Sequence, residues 1–68
     1  MTSIESIGHT AGTIWSFLRS QGPAALSAVE HGVGAPRTEV AMALGWLARE
    51  GKLRIETEGR ATRFAITD

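Results

Sequence analysis

Apolar residues recur at helical spacing in the first third of the chain and alternate with polar residues in its last part. The first pattern predicts an amphipathic helix that ends at Gly22-Pro23. Thr2 and Glu5 have the spacing of a capping box at its start. The residues expected on its inward face are Ile4, Ile7, Ala11, Ile14, Trp15 and Leu18.

The middle of the chain predicts a short helix followed by a longer one. Ala24 to Leu26 is a short apolar segment that predicts extended structure, and Ser27 with Glu30 forms a second capping-box pattern. The second helix carries a small apolar stripe of Leu26, Val29 and Val33, and the glycines of residues 31–34 predict a turn after it.

Pro36 suits the first position of a third helix, which makes Ala35 an unusually weak N-cap. This helix is expected to run to about Glu50, with Gly51 as the residue that ends it. Its inward face consists of Val40, Ala43, Leu44 and Leu47.

The C-terminal segment has the period of two that is typical of strands, interrupted near Gly59-Arg60. A two-residue turn there predicts a β-hairpin and sets Glu56 opposite Arg63 as a favourable pair of charges. The same register pairs Ile55 with Phe64 and Leu53 with Ile66.

The predicted order is helix, short helix, turn, helix and hairpin. Two helices joined by a tight turn form a helix-turn-helix, and a hairpin packed beside them is a wing. The sequence therefore predicts an α+β winged helix-turn-helix domain with three helices and a C-terminal two-stranded wing. Sixty-eight residues suffice for a single domain, taken as residues 1–68.

Two runs of residues resemble a known family. Residues 43–52, Ala-Leu-Gly-Trp-Leu-Ala-Arg-Glu-Gly-Lys, resemble a small bacterial family of winged helix-turn-helix domains of uncharacterised function. Residues 7–15 resemble the first helix of that family, and the likeness extends over about residues 7–66. The resemblance implies a winged-helix fold, homodimers and a role in DNA binding or regulation, and it implies no catalytic residue.

Composition narrows the possible chemistry. Cysteine is absent, which excludes disulfides and thiolate metal sites and fits the reducing cytoplasm. Two histidines are too few for a typical structural zinc site, so no metal or other cofactor is expected. The chain has no apolar run long enough to span a membrane and no basic segment typical of a signal peptide.

In a helix-turn-helix protein the second helix of the motif enters the major groove of double-stranded DNA. Arg37 and Thr38 stand at the start of the third helix as candidate base readers, and Met42 lies on the same outer face. The candidate phosphate contacts are Arg49, Lys52, Arg60 and Arg63. The sequence therefore favours regulatory DNA binding by a homodimer.

Several features weaken the DNA hypothesis. Seven basic and seven acidic residues cancel, and Glu39 near the start of the third helix would repel phosphate. Ala41 and Gly45 donate no hydrogen bonds on the outer face. The alternative is homodimerisation or partner binding without DNA, because exposed apolar surface marks protein contacts. Its candidate interface residues are Met42, Trp46 and Phe17.

Catalysis is not expected from this sequence. Glu30 and His31 are neighbours, but no nucleophile stands at a matching spacing. Residues 32–34, Gly-Val-Gly, lack the Lys-Ser/Thr ending of a phosphate-binding loop. No small-molecule ligand is evident from the residues, and the chain is expected to act by binding a macromolecule.

Overall fold

Three helices and a three-stranded antiparallel sheet make up the protein in a computed structural model, which describes residues 2–67. The sheet order is β1-β3-β2. The predicted winged-helix class is confirmed, and the third strand is an addition to the predicted two-stranded wing. The elements are α1 (Ile4–Gln21), β1 (Ala24–Ala25), α2 (Leu26–Val33), α3 (Arg37–Arg49), β2 (Leu53–Glu58) and β3 (Ala61–Ile66).

Helix α1 begins at a capping box one residue later than the sequence pattern predicted. Ser3 is the N-cap, and its hydroxyl accepts a hydrogen bond from the Ser6 amide at 3.1 Å. The Ser6 hydroxyl in turn accepts from the Ser3 amide at 2.7 Å. The proposed Thr2 and Glu5 box is therefore wrong, because a serine at the third helical position supplies the reciprocal bond.

Helix α2 differs from its prediction at both ends. It begins at Leu26 after the N-cap Ala25, without a side-chain cap, so the predicted Ser27 capping box is wrong. It also continues through the predicted turn to Val33, and the chain turns at Gly34, whose φ is 69°. Pairing of β1 with β3 fixes the backbone directly before Leu26, which explains how this helix starts without a polar cap.

Helix α3 has Pro36 rather than Ala35 as its N-cap, so the predicted start was one residue early. Its end follows the expected pattern, with Gly51 at a φ of 72°. The Gly51 amide donates to the Ala48 carbonyl at 3.1 Å, and the Lys52 amide donates to the Leu47 carbonyl at 2.9 Å. These two bonds form a Schellman motif, which turns the chain directly into β2.

The hairpin has the predicted register and a two-residue turn. Leu53 lies opposite Ile66, and Ile55 lies opposite Phe64. Gly59 has a φ of 62°, as expected for the first central residue of a type II′ turn. The other side of β3 pairs with β1, where Ala24 lies opposite Phe64. The hairpin is therefore joined to the connection between α1 and α2.

One predicted contact within the hairpin is wrong. Glu56 does lie opposite Arg63, but its carboxylate pairs with Arg54 of the same strand at 3.0 Å. The Arg63 guanidinium instead donates to the Pro23 carbonyl oxygen at 3.2 Å. Because Pro23 directly precedes β1, this bond adds to the link between the hairpin and the α1–α2 connection.

The core lies where the three helices meet. Its largest fully buried side chains are Ile14, Leu18, Val29 and Val40. Trp15, Leu53, Phe64 and Ile66 are half-buried and pack around this centre. Ile4 was expected inside but is 75% exposed, because it lies in the first turn of α1, beyond the packed part of the helix. Within residues 2–67, no helix is long and apolar enough to cross a membrane.

Candidate nucleic-acid interface

The outer face of α3 is exposed along its whole length. Val40 and Leu47 point into the core, so Thr38, Met42 and Arg49 lie on the opposite side of the helix and are exposed. Met42 has a 48% exposed side chain. Three of the predicted DNA-binding residues therefore share one accessible surface.

Arg37 stands at the first position of α3, at the edge of this surface. Its guanidinium lies 3.4 Å from the Glu30 carboxylate of α2, and its side chain is 60% exposed. Exposed ion pairs of this kind contribute between about 0 and 1 kcal/mol. The pair orients Arg37 only weakly, so a phosphate anion or the acceptor atoms of a base edge can replace the Glu30 carboxylate as its partner.

The three candidate cations near the hairpin lie in different places. Arg60 is exposed in the turn, at the tip of the wing. Arg63 is bound to the Pro23 carbonyl, on the sheet face opposite to that of Phe64. Lys52 lies 3.8 Å from Glu50 and lines the groove between α1 and α3. These cations therefore do not form one continuous basic surface with the outer face of α3.

Glu39 is the main residue whose environment the sequence did not reveal. It is 8% exposed and faces α1, where its carboxylate accepts hydrogen bonds from Thr10 Oγ1 at 2.7 Å and Ser6 Oγ at 2.9 Å. The bond from Thr10, followed by that from Ser6, lowers the pKa of Glu39 and outweighs the burial that would raise it. The carboxylate therefore fixes the start of α3 on α1, away from the outer face.

The sequence does contain one indication of this contact, which is the spacing of the Ser6 and Thr10 hydroxyls. Ser6 and Thr10 are four residues apart and lie on one side of α1, next to its apolar stripe. Such a pair indicates a polar contact at the edge of a helix interface. The sequence alone does not say which acid provides the acceptor, because that depends on how α3 crosses α1.

An apolar groove of about 200 Å³ lies between α3 and the hairpin. Ala41, Gly45 and Ala48 form its helical wall, and their small size leaves the floor open to solvent. Ile55 is 55% exposed at this groove. The opposite wall and floor comprise Leu26, Leu44, Leu53, Ile55 and Phe64.

The aromatic interface candidates do not share one surface. Trp46 is 37% exposed and packs against α1, where a Cβ on Gly8 would lie 3.6 Å from its ring. Phe17 lies on another side of α1, with its ring so close to Gly32 of α2 that a Cβ there would lie 2.2 Å from Phe17 Cε1. Trp46 and Met42 are neighbours on α3, whereas Phe17 fills the contact between α1 and α2.

Comparison with known proteins agrees with this architecture. A structure from work on the DNA recognition and protein interaction domains of HOP2 has 27% sequence identity and a TM-score of 0.75, covering 85% of this chain and 98% of that one. The Zα domain of PKZ from Carassius auratus, in complex with Z-DNA, has 18% identity and a TM-score of 0.79, covering 91% and 98%. No curated protein matches significantly. Residues 1–66 match the profile of one family, and the chain therefore belongs to the winged helix-turn-helix domain family DUF2582.

Proposed function

We propose that this domain binds double-stranded DNA as a regulatory module, through the outer face of α3 and the tip of the hairpin. The observation that carries the proposal is the arrangement of charge at α3. Arg37 and Arg49 are exposed on this helix, while its acidic residue Glu39 is turned inward against α1. The DNA recognition described for HOP2, a structure of the same architecture, supports the proposal.

The proposed roles follow from position. Arg37 and Thr38 at the start of α3 read base edges, since the first residues of a recognition helix reach the bases. Arg49 and Arg60 contact phosphates on either side of the groove. Lys52 already pairs with Glu50, and Arg63 already donates to the Pro23 carbonyl. They contact phosphates only if these contacts break. With Arg49 and Arg60 alone on phosphates, the logarithmic salt slope is about −2, which is a small electrostatic contribution.

The centre of the outer face narrows the choice of target. Ala41, Met42 and Gly45 are exposed there and donate no side-chain hydrogen bonds. The apolar group that base pairs present in the major groove is the methyl group of thymine. We therefore expect the preferred site to place thymines under the middle of α3 and a guanine near Arg37.

The proposal includes a pair of domains on paired half-sites. Two-fold dimers of helix-turn-helix proteins bind half-sites about one helical turn apart, and a small domain gains affinity by binding twice. We propose that binding in this mode serves a regulatory role. The expected stoichiometry is two chains per duplex, measured by sedimentation at increasing protein concentration.

The first experiment is an amide chemical-shift titration with a mixed-sequence duplex at ~50 mM salt, where electrostatic binding is strong. Shifts are expected at residues 37–42 and 59–60. Arg37→Ala should weaken binding by about 1–3 kcal/mol. The matched control is Arg54→Ala, because Arg54 pairs with Glu56 on the hairpin. The absence of shifts around α3 would contradict the proposal.

A second candidate function is association with a protein without DNA. The apolar groove between α3 and the hairpin favours it, because Ile55 is 55% exposed and Met42 is 48% exposed nearby on α3. In this case Met42 and Trp46 are interface anchors. Two results together would favour this function. The protein would form a dimer without DNA that Met42→Ala dissociates, and its amide spectrum would not shift when duplex is added.

A further inference from the structure

A groove of about 710 Å³ lies between α1 and the C-terminal part of α3, on the side of α3 that faces α1. The chain has two tryptophans, and both of them, Trp15 and Trp46, line this groove. Gly8 and Gly12 form part of its α1 wall, and nothing lies within 4 Å of the position a Cβ on Gly12 would take. The groove is therefore an open space with aromatic walls.

Among residues 2–67, the charged side chains that line the groove carry a net positive charge. Lys52 and Glu50 lie 3.8 Å apart and compensate each other. Arg19 stacks over the indole of Trp15, with its guanidinium carbon 5.2 Å from the ring centroid. Among residues 2–67, no carboxylate lies within ion-pairing distance of Arg19. The described residues thus leave one uncompensated positive charge beside two indoles.

We propose that this groove is a binding site for a planar aromatic monocarboxylate. The ring of such a ligand stacks against the indoles of Trp15 and Trp46, since offset and edge-to-face aromatic contacts are favourable. Its carboxylate accepts hydrogen bonds from the Arg19 guanidinium, whose planar edge remains available while its face lies on Trp15. The charge count selects a monoanion, and the volume lies within the range of small-ligand sites.

A second copy of the chain is a poorer occupant of this groove. The centres of protein interfaces are depleted in charged residues. A partner chain seated here would cover Arg19, Glu50 and Lys52 together. A small anion needs to desolvate only one of these charges, and it supplies the opposite charge itself. The site is separate from the outer face of α3, so the inference does not depend on DNA binding.

The test uses the two indole N–H signals of the ¹⁵N-labelled protein, because each reports on one wall of the groove. Titration with 2-naphthoate is expected to shift both signals in a saturable way. The neutral 2-naphthamide should bind about tenfold more weakly, because a charged hydrogen bond is replaced by neutral ones. Cyclohexanecarboxylate, which keeps the charge and lacks the aromatic ring, should also bind more weakly.

Two variants test the location. Arg19→Gln should weaken 2-naphthoate binding about tenfold and leave 2-naphthamide binding unchanged, while the control Arg60→Gln changes neither. Gly12→Leu should fill the groove and abolish the shifts, and its open surroundings allow the fold to remain intact.

Three results would overturn the inference. One is saturable binding of 2-naphthoate that survives Gly12→Leu. Another is equal affinity for 2-naphthoate and 2-naphthamide. The third is a dependence of both indole signals on protein concentration alone, which would assign the groove to a second copy.

Discussion

The two flanks of α3 pack in different ways. Towards α1, the helix is fixed by the buried Glu39 carboxylate and by Trp46 seated on Gly8. Towards the hairpin, Ala41, Gly45 and Ala48 leave an apolar groove, and Ile55 across it remains 55% exposed. The comparison indicates that the α1 flank sets the position of α3, while the hairpin flank is left available for contacts outside the domain.

The largest expected effect is on the free energy of unfolding, when an isoleucine is replaced by alanine at each of the two flanks. Ile14 of α1 is fully buried, so Ile14→Ala should destabilise the domain by about 2–5 kcal/mol. That loss is comparable with the ~3–5 kcal/mol available to a chain of this size. Ile55→Ala on the hairpin flank should cost less than about 1 kcal/mol. Urea unfolding measures both free energies. Equal losses would contradict the difference in packing between the two flanks.

A pair of glycines provides the next test. Gly32→Ala places a Cβ 2.2 Å from the Phe17 ring, so the packed α1–α2 contact must open, at a net cost of about 1–2 kcal/mol. Gly45→Ala meets nothing within 4 Å and should stabilise α3 by up to ~1 kcal/mol. Thermal unfolding should therefore move in opposite directions for the two variants. A stabilised Gly32→Ala protein would show that the Phe17 ring moves aside freely.

The outer face of α3 leads to a smaller effect, on affinity. Replacing a thymine under Met42 with deoxyuridine removes one methyl group and keeps every hydrogen-bonding group. Loss of one buried methyl should weaken binding about fourfold. The same replacement outside the site is the control, and fluorescence anisotropy measures both. If no thymine-to-deoxyuridine replacement changes the affinity, α3 does not contact thymine methyl groups. DNA binding itself is tested separately by the chemical-shift titration.

The smallest expected effect is a dependence of stability on pH at the α1 flank. Hydrogen bonds from Thr10 and Ser6 lower the pKa of Glu39 from its ordinary value of 4.5. The resulting stabilisation is fully present above the pKa of the unfolded chain, and it is lost as the pH falls through the lower pKa of the folded state. Glu39→Gln should therefore flatten the decline of the urea midpoint below about pH 4.5. If the urea midpoint of the variant falls as steeply as that of the unchanged protein, the pH dependence comes from other carboxyl groups.

The predictions that succeeded concern periodic patterns and glycine-dependent turns. The three helices, the hairpin register and the end of α3 at Gly51 were all predictable, because each depends on residues close in sequence. The capping of α2 was wrong because pairing of β1 with β3 fixes its first residue where the local pattern favoured Ser27. The turn predicted at residues 31–34 occurs at Gly34, whose φ is 69°, and its predicted start was too early because α2 continues to Val33, with Gly32 packed against the Phe17 ring.

The candidate site was less predictable than the fold. The outer face of α3 followed from helical periodicity, so the shared exposure of Thr38, Met42 and Arg49 was expected. Lys52 and Arg63 were grouped with them by charge alone, and the structure gives each of them another partner. The charge of a residue indicates what it can bind. The direction of its side chain depends on the face of the strand, or the end of the helix, from which it projects.

The sequence by itself determined the order of the elements, the apolar inward face of α3 and the hairpin register, because apolar periodicity and turn residues act over a few positions. Only the tertiary structure decided that Glu39 binds Thr10, that β1 extends the sheet, and that both tryptophans line one groove. These features join residues far apart in the chain. They depend on the angles at which the helices cross, which local patterns do not specify.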